Sequence, residues 1–338
     1  MSEIVARVIR NNLEESIHRG HIAVVNADGG LMASVGDPAY PTFIRSAAKP
    51  FQIMPLLLDE AVQYYQFADQ ELAVMISSHN GEEIHINTVL RILEKIGLTE
   101  GHLKCGLHPP MHETTAAKLL TQNMELTPVY NNCSGKHSGM LALASYHGWR
   151  LETYLQSHHP VQMQIKQKIS LFSGLDEKNI GVGVDGCSAP VFYLPIKNMA
   201  LMYAKLAEGK IEPAKRVFDL MSSHPEMIAG SDRFDTDLMK VMGDRMISKV
   251  GAEGIRCLAV RGGPPLGIAV KIEDGDKRAS PPVMLEVLKQ LNLISKKEIK
   301  ELSKYRKPVF LNHAGIETGW ISAEFVLQTK SGGILPLR

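Results

Sequence analysis

The chain has 338 residues, 44% of them hydrophobic and 22% charged, proportions that suit a soluble globular protein with one large domain or two ordinary ones. Thirty-seven basic and 36 acidic residues leave a net charge of +1, which removes the electrostatic case for a nucleic-acid or membrane partner. Apolar runs such as MLALA at 140–144 are far too short to span a bilayer, and the N-terminal MSEIVARVIRNNLEESIHRG lacks the apolar core of a signal peptide. The expected location is therefore the cytoplasm, where the four cysteines (105, 133, 187 and 257) would stay reduced.

In chain order, HIAVVNADGGLMASVGD (21–37) predicts a hairpin closed by the turn-forming NADGG. FQIMPLLLDEAVQYY has helical spacing interrupted by Pro55, while TVLRILEKIG and TTAAKLLTQN predict amphipathic helices. GKHSGMLALASYHGW is apolar nearly throughout and predicts a buried helix. IGVGVDGCSAPVF predicts a buried strand running into a tight turn, and helices follow in ALMYAKLAEGK and PAKRVFDLMSSH. IRCLAVRGGPPLGIAVKIEDGD (255–276) predicts two strands around a Gly-Pro turn, with PPVMLEVLKQLNLI as a last helix. RGGPPLG is not a phosphate loop, since it lacks the terminal Gly-Lys and no helix follows. The expectation is an α+β protein built as a single domain over 1–338. Its sheet would come from about 15–45 and 245–338, with a mainly helical part at about 46–244.

RSAAKPFQ (45–52) places Lys49 three residues after Ser46 and just before Pro50. A serine hydroxyl needs a base to become a nucleophile, and a lysine can be that base only when burial or a nearby cation keeps it neutral. Pro50 is tolerated only in a first helical turn, so it places the helix start close to Ser46, at the positive end of the helix dipole. The residue before a proline avoids the α region, which predicts a tighter first turn at Lys49. An ordinary helix start with a capping serine would show the same spacing. Two further motifs follow in order: Ser78-His79-Asn80, and Lys249-Val250-Gly251. Together with Ser46-x-x-Lys49 they match the signatures of the serine β-lactamase and penicillin-binding superfamily. In that logic Ser78 relays a proton, Asn80 holds a substrate polar group, and Lys249 supplies a positive charge. Lys271 is the rival second lysine. Cys133 and Cys187 stand apart from apolar runs, each in a Gly/Ser-rich turn, and on the residues alone, without a Cys-x-x-Cys pair, free thiols or a redox-sensitive pair explain them better than a metal does.

RSAAKPFQ, SSHNGE, NNCSGKHSGM (131–140), VDGCSAP (184–190), HPEMIAGSDRFDT (224–236) and KVGAEG together resemble the bacterial asparaginase II family, the thermolabile, Rhizobium-type L-asparaginases. The resemblance runs over roughly residues 15–330. It implies a serine β-lactamase-like fold and hydrolysis of L-asparagine to L-aspartate and ammonia, with Ser46, Lys49, Ser78 and Lys249 as two Ser–Lys pairs. It implies substrate contacts from Arg45, Asn80, Asn132, His137 and Asp185, the last holding the α-ammonium group. It also implies a metal site near the substrate pocket, with zinc the expected ion, at Cys133, Lys136 and Cys187; the metal is not required for the chemistry and would fix the loop carrying Asp185. Cys105 and Cys257 are expected to be structural. A glutaminase or another small-amide hydrolase on the same scaffold is the competing enzyme reading, and a non-catalytic amino-acid or metal sensor the competing binding reading. The expected partner is a small molecule, and the expected assembly a homodimer.

Overall fold

The computed structural model describes residues 1–329. Strands β1 (Glu3–Arg10), β2 (Leu13–Asn26), β3 (Leu31–Val35) and β4 (Pro41–Phe43) come first. They are followed by helices α1 (Lys49–Gln52), α2 (Met54–Leu57), α3 (Ala61–Tyr64), α4 (Asp69–Ile76), α5 (Glu83–Lys95), α6 (Glu113–Thr121), α7 (Ser134–Tyr146) and α8 (Pro160–Ser173). The hairpin β5 (Gly181–Val184) and β6 (Pro190–Pro195) leads into α9 (Ile196–Glu208), α10 (Ala214–Ser223), α11 (Pro225–Ile228) and α12 (Phe234–Met242). Strands β7 (Met246–Val250), β8 (Ile255–Val260) and β9 (Leu266–Ile272) precede α13 (Ser280–Gln290), α14 (Lys296–Glu301) and α15 (Ser303–Arg306), and β10 (Val309–Leu311), β11 (Glu317–Ala323) and β12 (Gln328–Thr329) close the described chain. Contacts divide the described chain into two compact units: Met1–Ala47, Leu194–Glu208 and residues 237–329 form one, and Ala48–Tyr193 with Gly209–Thr236 the other.

The first unit is an antiparallel sheet in the order β10-β11-β1-β2-β9-β8-β7, with β3 pairing both β2 and β12. This is the expected α+β architecture, a sheet assembled from N- and C-terminal segments with helices between them, and β1 joins it as well. The NADGG turn closes β2 onto β3 as expected. Register fixes which side chains share a face. Lys249 lies opposite Cys257, Cys257 opposite Ala269, and Ile255 opposite Lys271, so both lysines stand on the same side of the sheet as Gly267. Helix α9 packs on that side. A Cβ added at Gly267 would lie 1.8 Å from the Ala200 carbonyl oxygen. Arg256 points to the other side, where its Nε donates to Ser280 Oγ (3.3 Å) at the start of α13.

The second unit is mainly helical. Every residue of α7 from Ser134 to Ala144 is buried, as its continuous apolar sequence predicts. Its polar first turn is therefore buried too. A helix this close to its neighbour needs a bare backbone at the crossing, and Gly135 supplies it: a Cβ there would lie 2.1 Å from the Val74 carbonyl oxygen of α4. Alanine is ordinarily the better helix former. Here Gly135→Ala is expected to destabilise the fold by about 3 kcal/mol or more, because the obstacle is backbone that cannot turn aside. A melting temperature lowered by roughly 6–12 °C would register that loss, and an unchanged one would refute the crossing.

One expectation fails here. IGVGVDGCSAPVF was expected to carry a buried strand, but Val182 and Val184 of β5 are 45% and 81% exposed. β5 is an edge strand pairing only with β6; after it, burial appears first at Cys187 in the turn and is continuous from Ala189 into β6. Alternating Gly and Val gives composition without a face, so the apolar residues alone could not say which strand of the hairpin is covered.

Candidate active site

Arg45–Ala48 form a single 3-10 turn, and α1 begins at Lys49 with Pro50 in its first turn. The tighter turn predicted from the Lys-Pro pair is thus present. Pro55 takes the same place in α2, so the apolar stretch after Pro50 forms short consecutive helices rather than one long one. Arg45 opens the turn with φ +51°, a left-handed conformation that costs a non-glycine residue energy and marks a strained position. Ser46 is half-buried, and its hydroxyl makes no hydrogen bond among the described residues.

Lys49 is 1% exposed. Its Nζ donates to Ser77 O (2.6 Å), Ser78 Oγ (3.0 Å) and Asn132 O (3.2 Å). Burial lowers the Lys49 pKa below its ordinary value, against the opposing attraction of the Cys133 sulfur. Ser78 is itself buried, and its backbone N–H donates to Ile228 O (2.9 Å). Next to it, His79 is fully buried and held neutral, chiefly by burial and then by its cationic neighbours. Gly81 N–H occupies its Nδ1 (3.0 Å), so the proton sits on Nε2 and is donated to Ser134 Oγ (2.9 Å).

Cys133, Lys136 and Cys187 converge, as the resemblance implied, and all are buried. Lys136 Nζ donates to Cys187 Sγ (2.9 Å), and Cys187 is hydrogen-bonded to Cys133. Cys133 is the N-cap residue of α7, where a helix dipole favours an anion. The hydrogen bond from Cys187 pulls its pKa well down despite burial, with Lys49 and Lys136 adding to the effect. The same bond, together with burial, pushes the Cys187 thiol up. Burial would lower Lys136, but the two sulfurs outweigh it and hold the amine above its ordinary value. Among the described residues no three His, Cys, Asp or Glu side chains gather as a metal-binding group, so a third protein ligand would have to be Lys136. Two sulfurs and an amine in a dry cluster suit a zinc ion by kind, and binding would expel the protons now shared among them. Cys105 lies beside this cluster, and its thiol, pushed up to about 12 by burial, is inert. The carboxylate of Asp185 accepts from Gly186 N–H (2.8 Å) in the turn leading to Cys187, and its charge is felt by Lys136.

In the sheet unit, Lys249 is completely buried and donates to Val250 O (3.2 Å). Lys271 donates to Glu253 O, and burial lowers its pKa, with Arg45 contributing a like charge.

A family model described as L-asparaginase II matches residues 6–323. The chain belongs to the L-asparaginase II family. Comparison with curated proteins returned no match. Among solved structures, the chain is similar to Mglu crystallised in its native form in 4.3 M NaCl (16% identity, 82% of this chain and 61% of that one, TM-score 0.39). It is also similar to a Bacillus glutaminase (13%, 81% and 91%, TM-score 0.37) and to a β-lactamase from Mycobacterium bovis (13%, 80% and 93%, TM-score 0.39). The chain thus spans 61% of the length of Mglu, and these low scores add nothing to the fold described above.

Within this asparaginase II chain, three site expectations need adjustment. Asn80, expected to hold a substrate polar group, is already engaged: Nδ2 donates to Ser231 O (2.9 Å) and Glu82 Oε1 (3.1 Å), and Oδ1 accepts from Arg233 Nη1 (2.6 Å). Both N–H groups are spent inside the fold, so its role is to lock two segments together. Asn132 meets Lys49 through its backbone carbonyl rather than its amide. Its neighbour Asn131 does the positioning, with Nδ2 on Cys105 O (2.9 Å) and Oδ1 receiving Cys133 N–H (2.9 Å). His137, expected near the substrate or the metal, is fully buried, and its Nδ1 is hydrogen-bonded to the Tyr154 hydroxyl (2.6 Å). Tyr154 Oη also accepts Lys104 N–H (2.9 Å). Tyr154 lies too far along the chain for any motif to have included it.

Proposed function

We propose that the chain hydrolyses L-asparagine to L-aspartate and ammonia through a serine acyl-enzyme. What supports this most is Lys49: a buried amine, lowered by burial and set against Ser78 Oγ at 3.0 Å, three residues after a serine on a tight turn. Neutral Lys49 would take the Ser46 proton as the hydroxyl attacks the side-chain amide carbon. Backbone N–H groups, that of Ser46 among them, would receive the oxyanion. Ser78 would carry a proton to departing ammonia, with Lys249 as the second lysine. Water would then release aspartate through the same groups in reverse. Asp185 would hold the α-ammonium group. A zinc ion would be held by Cys133, Lys136 and Cys187, and would fix the turn that carries Asp185.

The test is ammonia release from L-asparagine and L-glutamine by purified protein. Turnover with asparagine favoured about 10- to 200-fold is expected, the discrimination one methylene allows. A preference for glutamine would make the chain a glutaminase, and binding without ammonia release would make it a sensor.

A further inference from the structure

The HPEMIAGSDRFDT stretch carries none of the chemistry assigned so far, yet it is sewn onto the Ser78 segment. Ser78 N–H donates to Ile228 O (2.9 Å), Asn80 Nδ2 to Ser231 O (2.9 Å), and Ser231 N–H to Glu82 Oε1 (2.8 Å). Gly230 permits this closure, at φ +108° and with a Cβ position only 2.3 Å from Glu82 Oε1 and 2.7 Å from Asn80 Nδ2. The loop ends at Arg233, a half-buried side chain oriented by its bond to Asn80 Oδ1 (2.6 Å) and by Met111 Sδ (3.3 Å). Both contacts use Nη1. Among the described residues, the Nε and Nη2 N–H groups have no partner, and no carboxylate pairs with the guanidinium.

An arginine held by one corner, with its remaining donors presented together, is a receptor for a planar carboxylate. Its placement suits a small amino acid. Asn80 follows Ser78 by two residues, a span of at most about 7 Å, and Arg233 lies one hydrogen bond beyond. A substrate whose amide group is presented at Ser78 and Lys49 has its α-carboxylate carbon beyond two intervening carbons, a reach that falls within that separation. We propose that Arg233 holds the α-carboxylate of the substrate and of the product aspartate, and so selects free amino acids over other amides. The identity of the substrate rests on the asparaginase reading; the carboxylate site does not.

The experiment compares binding of L-aspartate and L-isoasparagine, which differ in having a carboxylate or a carboxamide at the α position, by calorimetry. Wild type is expected to prefer L-aspartate. In Arg233→Gln that affinity should fall about 10- to 100-fold, the value of a charge-assisted pair, while isoasparagine binding stays within about twofold. Arg233→Lys, which keeps the charge without the fork, should lose part of the preference and serves as the folded comparison should the glutamine variant melt early. Equal loss for both ligands would overturn the proposal and leave Arg233 as a loop brace. No loss, or no L-aspartate binding by wild type, would overturn it also. Selective loss in a protein that releases no ammonia from asparagine would uphold the carboxylate site and sink the asparaginase reading instead.

Discussion

Replacing Ser46 with alanine is expected to abolish ammonia release from L-asparagine, lowering kcat by about 10⁴-fold or more while leaving the fold intact. The hydroxyl makes no hydrogen bond among the described residues and is only half-buried, so its removal costs little stability. Its loss removes the covalent step itself. The comparison with Ser78→Ala sharpens this. Ser78 is buried and bonded to Lys49, so removing it should slow proton delivery by a smaller factor, about 10²- to 10⁴-fold, and should also cost stability. If Ser46→Ala retained most of its turnover, the acyl-enzyme would be refuted and attention would pass to the Cys133–Lys136–Cys187 cluster. Near-equal losses in the two variants would leave open which serine attacks, and trapping the acyl group on one of them by mass spectrometry of a quenched reaction decides it.

Much of this was legible in the sequence, and particular residues show why. Pro50 can sit in only one part of a helix, so RSAAKPFQ predicts its own tight turn. NADGG predicts the β2–β3 hairpin for the same kind of local reason. The convergence of Lys136 with Cys187, 51 residues on, has no local cause, and only the family resemblance brought it into view. Asn80 shows the opposite failure. Its position in Ser-x-Asn marks it as a substrate contact, but hydrogen-bonding capacity is finite and a loop some 150 residues away had claimed it. Arg233 carries no signature of its own, since an arginine in a polar loop has none until its neighbours are known. Asn131 and Asn132 are indistinguishable as letters; the backbone turn alone decides which one points inward to brace Cys133.

Lys49 gives the second large effect. If its neutral amine is the base, kcat/KM for asparagine should rise with pH through a pKa below the ordinary lysine value, since burial favours the uncharged form and activity requires the proton to be gone. Lys49→Met should lose about 10²- to 10⁴-fold of the rate and the rising limb with it. Lys49→Arg is the stricter test, because it keeps the positive charge at a group that cannot be deprotonated, and it should be as inactive as the methionine variant. Cys133 acts on Lys49 with the opposite sign to burial: its negative charge favours the ammonium form. Cys133→Ala should therefore move the rising limb to lower pH, not higher. A Lys49→Arg enzyme with near-normal turnover would show that the buried charge, rather than its removal, is what the chemistry needs. An unmoved limb in Cys133→Ala would show that the group titrating in the rate is not Lys49.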